Sequence, residues 1–149
     1  MTDAANTFVY VTYIRTTPEK LWEALTQPEF NKKYWMGAHQ ESDWKQGSPW
    51  RIMLADGRVA DSGEGLEIEP MKRVVLKWRN EFMPEMKAEG FTRCTYAIEE
   101  TNGMMKLTVT HEAEGANKLI KAVSNGWPLI LSGLKSLLET GEALPTKQT

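Results

Sequence analysis

Two hydrophobic periods alternate along this chain, and each change of period marks a boundary between elements. Residues 7–15, Thr-Phe-Val-Tyr-Val-Thr-Tyr-Ile-Arg, are β-branched and aromatic and predict a strand. Thr17 and Pro18 then open a helix: Thr17 can cap it, and Pro18 at the first helical position gives up an N–H that would be unpaired anyway. Leu21, Trp22 and Leu25 form its apolar face, and Pro28 leads a second short helix with Phe30 and Tyr34 four residues apart. From residue 39 onward the period is two. Residues 39–44 are a strand candidate. Trp50, Ile52 and Leu54 then alternate with Arg51 and Met53, and residues 59–69 place Glu64, Leu66 and Ile68 on one parity. Val74, Leu76 and Trp78 follow, then Cys94, Tyr96 and Ile98, then Met105, Leu107, Val109 and His111. Turns are expected at Gln46-Gly47-Ser48, Asp56-Gly57 (of the primed kind), Pro70-Met71-Lys72 and Asn102-Gly103, and residues 80–88, with Pro84, as a loop.

The last segment returns to the helical period. From Ala116 to Thr140 the apolar positions Leu119, Ile120, Val123, Trp127, Ile130, Leu131, Leu134, Leu137 and Leu138 form a stripe, and Gly141 supplies the stop. Asn125, Gly126 and Pro128 interrupt it. Pro128 in a helix interior costs about 3 kcal/mol and Gly126 about 1. Either one helix runs through, bent, or Asn125 caps a second helix with Pro128 in its first turn. The stripe keeps phase across Pro128, which favours a single axis. The pattern as a whole predicts an α+β fold: one strand, two short helices, a curved antiparallel sheet of about six or seven strands in all, and a long C-terminal helix across the concave face.

Composition narrows the function classes. The 149 residues fit one domain, with a core over about 7–141 and tails at 1–6 and 142–149. A formal charge of −2 speaks against nucleic acid or an anionic membrane as partner. Cys94 is alone, so no internal disulfide can form, and it reads as inert core in a reducing compartment. With two histidines and no metal-ligand spacing, neither a metal nor a cofactor is expected. The first residues lack the apolar run of a signal peptide, and no stretch has the length of a membrane span, so a soluble, cytoplasmic domain is expected. Six tryptophans and eight methionines suit a core, and also a pocket for an irregular guest.

Three motifs in order resemble one family. Thr17-Pro18-Glu19-Lys20-Leu21-Trp22-Glu23-Ala24-Leu25-Thr26 with Pro28-Glu29 is similar to the opening of the Activator of Hsp90 ATPase homologue 1-like family, within the START-like, Bet v 1-like (SRPBCC) superfamily. Gly65-Leu66-Glu67-Ile68-Glu69-Pro70 ending at Trp78 resembles its strand pair, and Gly126-Trp127 with Leu131, Leu134, Leu138 and Glu139-Thr140-Gly141 its closing signature. The resemblance implies a helix-grip fold with an apolar cavity between sheet and helix. Relatives in that superfamily include a co-chaperone domain, lipid carriers and polyketide cyclases. The eukaryotic co-chaperone carries a further N-terminal domain, which this chain is expected to lack.

Inward positions on this reading are Trp50, Ile52, Leu66, Leu76, Trp78, Tyr96 and Val109 on the sheet, with Trp127, Ile130, Leu131 and Leu134 on the helix. Glu64 and His111 extend the apolar parities and are the polar candidates, with the Tyr96 hydroxyl. These residues would line a cavity for a small hydrophobic molecule, the leading expectation. The alternative is a co-chaperone-like module whose partner is a chaperone or another protein. A cyclase- or hydrolase-like enzyme using Glu64, Tyr96 or His111 is the weaker reading, and no catalytic residue is assigned. Monomer and homodimer both stay open.

Overall fold

The computed structural model describes residues 6–115 and 117–145. Strands β1 (Thr7–Ile14), β2 (His39–Ser42), β3 (Pro49–Met53), β4 (Val59–Glu69), β5 (Arg73–Asn80), β6 (Thr92–Thr101) and β7 (Met104–Glu112) form a seven-stranded antiparallel sheet in the order β1-β7-β6-β5-β4-β3-β2. Helices α1 (Pro18–Thr26) and α2 (Pro28–Tyr34) carry the chain from one sheet edge to the other. The four-residue helix α3 (Pro84–Lys87) lies between β5 and β6, and α4 (Lys118–Thr140) closes the grip. The α+β architecture expected from the pattern, and the helix-grip fold that the resemblance implies, are the ones observed.

Local chemistry accounts for the element ends. Thr17 Oγ1 accepts from the Lys20 amide at 3.2 Å and caps α1. Asn31 joins three elements: its amide donates to the carbonyls of Ala24 and Leu25 at 2.9 and 3.2 Å, and its Oδ1 accepts from the Gln40 amide at 2.9 Å. The helix predicted from Ala116 opens at Lys118 under an Asn117 cap. Ala116 itself lies outside the described residues, as do residues 1–5 and 146–149 of the expected tails. At the far end the Arg15 amide donates to Glu139 at 2.7 Å and Lys135 bonds both Glu139 and the Tyr13 carbonyl, fastening α4 to β1.

Helix α4 runs unbroken through Pro128, so the two-helix alternative is not adopted. Trp127, Ile130, Leu131, Leu134 and Leu137 are all buried. At about 1.5–3 kcal/mol per large side chain, their burial outweighs the lost turn bond. Gly133 lets α4 touch α2: a Cβ there would sit 3.3 Å from that of Tyr34.

Four expectations need correction. The segment around Pro84 is not all loop: α3 forms there, with Pro84 in its first turn. The strand predicted over 39–44 ends at Ser42, and Trp44 takes a positive φ of 55°. The Asp56-Gly57 turn is not primed, because Gly57 alone has positive φ; at Asn102-Gly103 both residues do. The fourth correction bears on the site. Between Gly65 and Glu67 the β4–β5 register slips, leaving Leu66 as the extra residue of a bulge. Leu66 is consequently 37% exposed and does not face the core. From Gly65 back to Asp61 the parity inverts. Asp61, Gly63 and Gly65 stand opposite Asn80, Trp78 and Leu76 on the inner face, whereas Glu64 pairs with Lys77 on the outer one. Only glycine fits at 63, where a Cβ would fall 1.6 Å from the Lys77 carbonyl oxygen.

Candidate functional site

Most of the concave face is filled. Trp50, Leu76, Tyr96 and Val109 on the sheet and Leu131 and Leu134 on α4 are buried in one core. The sequence-predicted residues that instead border open space are Ile52, Trp78, Trp127 and Ile130. They line an apolar pocket of about 480 Å³ beneath the N-terminal half of α4. Its other walls are Trp35, Met36 and Ala38 after α2, Ala60 and Asp61 on β4, Met83 and Met86 around α3, and Leu119, Val123 and Gly126 on α4. A Cβ built on Gly126 meets nothing within 4 Å, so this glycine leaves space at the pocket wall and is not required by packing. A second hollow of about 590 Å³, between the turn before β6 and the loop after β7, is walled by Glu89, Arg93, Glu112 and Glu114 and is a polar surface groove.

The three polar candidates do not converge. Glu64 faces outward. The Tyr96 hydroxyl donates to Gln40 Oε1 at 2.9 Å, and the Trp50 indole donates to the same oxygen at 3.0 Å. His111 is wholly buried in a chain of hydrogen bonds. Trp127 Nε1 donates to His111 Nδ1 at 3.3 Å, and the Thr92 hydroxyl donates to the Trp78 carbonyl at 3.0 Å. His111 Nε2, 2.8 Å from Thr92 Oγ1, therefore carries the ring proton and donates to it. Burial pushes its pKa down to about 3, so the imidazole is neutral with both nitrogens engaged. It positions Trp127 and has no free atom for proton transfer.

Among the described residues, the one ionisable side chain on the pocket wall is Asp61, which the alternation had not marked. Trp78 Nε1 donates to its Oδ2 at 2.8 Å and Asn80 Nδ2 to the same oxygen at 3.2 Å. Among the described residues nothing donates to Oδ1. Burial pushes the carboxyl up to about 6 against the lowering effect of those two donors, with the nearby Glu81 charge adding to the rise. Asn80 also accepts from the amides of Phe82 and Met83 at 3.0 and 2.7 Å, so the residue that holds Asp61 also sets the turn that brings Met83 and Met86 over the pocket. Two glycines within three residues, Gly63 and Gly65, were the available signal: they mark a bulge, and a bulge puts Asp61 inside.

The described residues contain no group of three or more His, Cys, Asp or Glu side chains able to hold a metal ion. No helix among them is long and apolar enough to cross a membrane.

Comparison with curated proteins gives no match. Solved structures share the fold throughout. Protein MLL2253 from Mesorhizobium loti is 25% identical with a TM-score of 0.74, covering 89% of this chain and 96% of that one. The Aha1 dimer from Colwellia psychrerythraea is 20% identical with a TM-score of 0.72, covering 92% and 98%. An HSP90 activator from Plasmodium falciparum is 22% identical with a TM-score of 0.72, covering 89% and 96%. The family model for Activator of Hsp90 ATPase homolog 1-like protein matches residues 15–139, and the chain belongs to that family.

Proposed function

We propose that this domain is a non-catalytic, co-chaperone-like module that docks on a chaperone of the Hsp90 class. The family match over residues 15–139 carries this reading. The Plasmodium HSP90 activator supports it, since 96% of that chain corresponds to this one. The outer surface offers suitable anchors. Phe91 is exposed between Lys77 and Arg79, whose charges lie 4.5 and 4.6 Å from its ring centre, and exposed Phe82 carries Arg58 at 4.7 Å. Phenylalanine and arginine are among the residues enriched at protein interfaces. The test is titration of the protein into an Hsp90-class chaperone, reading complex formation and ATPase rate. Saturable binding and a raised rate, both weakened by Phe91→Ala with Phe82→Ala, are expected. No complex at about 50 μM of each protein would refute the proposal.

A second reading rests on the pocket beneath α4, whose 480 Å³ and apolar walls fall within the range of small-molecule sites. Under it the domain holds a small hydrophobic molecule there. Thermal shift and tryptophan fluorescence across lipids, flavonoids and polyketides test it, with Gly126→Leu as the blocked control. Identical responses of the two proteins to every compound would remove it.

A further inference from the structure

Asp61 is an expensive residue to keep where it is. It is 8% exposed, sits on a wall otherwise built from apolar side chains and Asn80, and among the described residues finds no donor for one carboxylate oxygen. A buried carboxylate is normally paired or fully hydrogen-bonded. Asp61 is held in one orientation by two donors on Oδ2, so Oδ1 is the oxygen left for an occupant. A purely hydrocarbon guest would strip water from that oxygen and return nothing. A fatty acid or other anion would add a like charge at contact distance. A cation, by contrast, would meet a carboxylate in a pocket that three indoles also line. Trp35, Trp78 and Trp127 all line the pocket, with ring centres 5.4 Å apart for Trp35–Trp127 and 5.8 Å for Trp78–Trp127, crossing at 64° and 68°. Aromatic walls around a fixed anion suit an ammonium group carried on an apolar body.

We propose that the pocket beneath α4 binds a hydrophobic amine in its protonated form, the ammonium on Asp61 Oδ1 and the apolar body against Trp78, Trp127, Met83 and Met86. This rests on the small-molecule reading of the pocket and adds the chemical class of the ligand. At Gly126 on the pocket wall even a Cβ would meet nothing within 4 Å, so the wall there leaves volume for the body.

Three probes with one skeleton separate the two levels of the claim: 4-phenylbutylamine, 4-phenylbutan-1-ol and 4-phenylbutyrate, titrated calorimetrically at pH 8 into the wild type, Asp61→Asn and Gly126→Leu. The amine should bind the wild type about tenfold or more tightly than the alcohol, the increment of a charge-assisted hydrogen bond, and the carboxylate more weakly than either. Asp61→Asn should erase the amine's advantage and leave the alcohol's affinity unchanged, a pattern that general unfolding cannot produce. Gly126→Leu, which improves helix propensity, should lose all three. Equal affinities for the three heads, or an amine preference that survives in Asp61→Asn, would overturn the amine assignment while leaving an apolar pocket. Failure of all three probes to bind the wild type at millimolar concentration, or binding unaffected by Gly126→Leu, would overturn the pocket reading itself and the amine assignment with it.

Discussion

Trp78 stands between two buried titratable side chains that are treated in opposite ways. On one side His111 packs 4.9 Å from it, centre to centre, wholly buried and with each ring nitrogen in a hydrogen bond. On the other, Asp61 accepts a hydrogen bond from the Trp78 indole at 2.8 Å, yet it borders open volume and has an oxygen to which none of the described residues donates. The first arrangement resembles the rest of the core, where Gln40 satisfies Trp50 and Tyr96 with a single oxygen. Full satisfaction fixes geometry and makes the polar group part of the packing. Partial satisfaction around a cavity lowers stability and leaves chemistry available, the usual condition of a binding site. The contrast separates the halves of the grip more cleanly than residue type does, since by type His111 would be the functional candidate.

The largest expected effect concerns the closed half and pH. His111 is neutral in the fold, with its pKa pushed down to about 3, whereas in the unfolded chain it takes up a proton near 6.5. Between those values the unfolded state binds more protons, so stability is full above pH 6.5 and falls as pH drops toward 3. At about 1.4 kcal/mol per unit, the loss is on the order of 4 kcal/mol. Urea denaturation from pH 7 to 3.5 should show this slope in the wild type and a flatter one in His111→Gln; equal slopes would mean the histidine is not held neutral. Next in size is Gln40→Leu, which leaves the Trp50 N–H and Tyr96 O–H without an acceptor. It should lower unfolding free energy by about 3 kcal/mol at pH 7, while a change under about 1 would show that water replaces the amide. In the open half, Gly126→Ala should raise stability by up to about 1 kcal/mol, since alanine favours the helix and its methyl meets nothing. A loss there would contradict the open wall beside α4.

The distribution of these effects also explains what could be read from the chain. The α4 stripe from Leu119 to Leu137 and the run Met105, Leu107, Val109, His111 were legible because long, regular elements carry their period in the side chains. The helix through Pro128 was legible for the same reason, as phase survives a missing hydrogen bond. Glu64 and Leu66 were misplaced because one extra residue at Gly65–Glu67 inverts the side chains from Gly65 back to Asp61, and no apolar count registers an insertion. Asp61 was hidden by that same inversion. Trp35, Met83 and Met86 come from the end of α2 and from α3, short irregular segments whose positions are set by tertiary contacts such as Asn80 with Asp61. The scaffold was therefore accessible from periodicity, while the pocket sits where periodicity is broken.

The account stands most directly on the unfolding free energy of Asp61→Asn relative to the wild type, measured in urea at pH 8 and again at pH 4. The folded carboxyl titrates near 6 and the unfolded one near 3.8. The fold therefore binds the proton more tightly, and the ionised side chain costs stability above pH 6 that is recovered as pH falls toward 3.8. Asparagine carries no such charge and still accepts from Trp78. The variant should be more stable than the wild type by about 1–3 kcal/mol at pH 8, with the gap closing by pH 4. A variant less stable than the wild type at pH 8 would contradict the account: Asp61 would then be part of the packing, as His111 is, and the two sides of Trp78 would not differ.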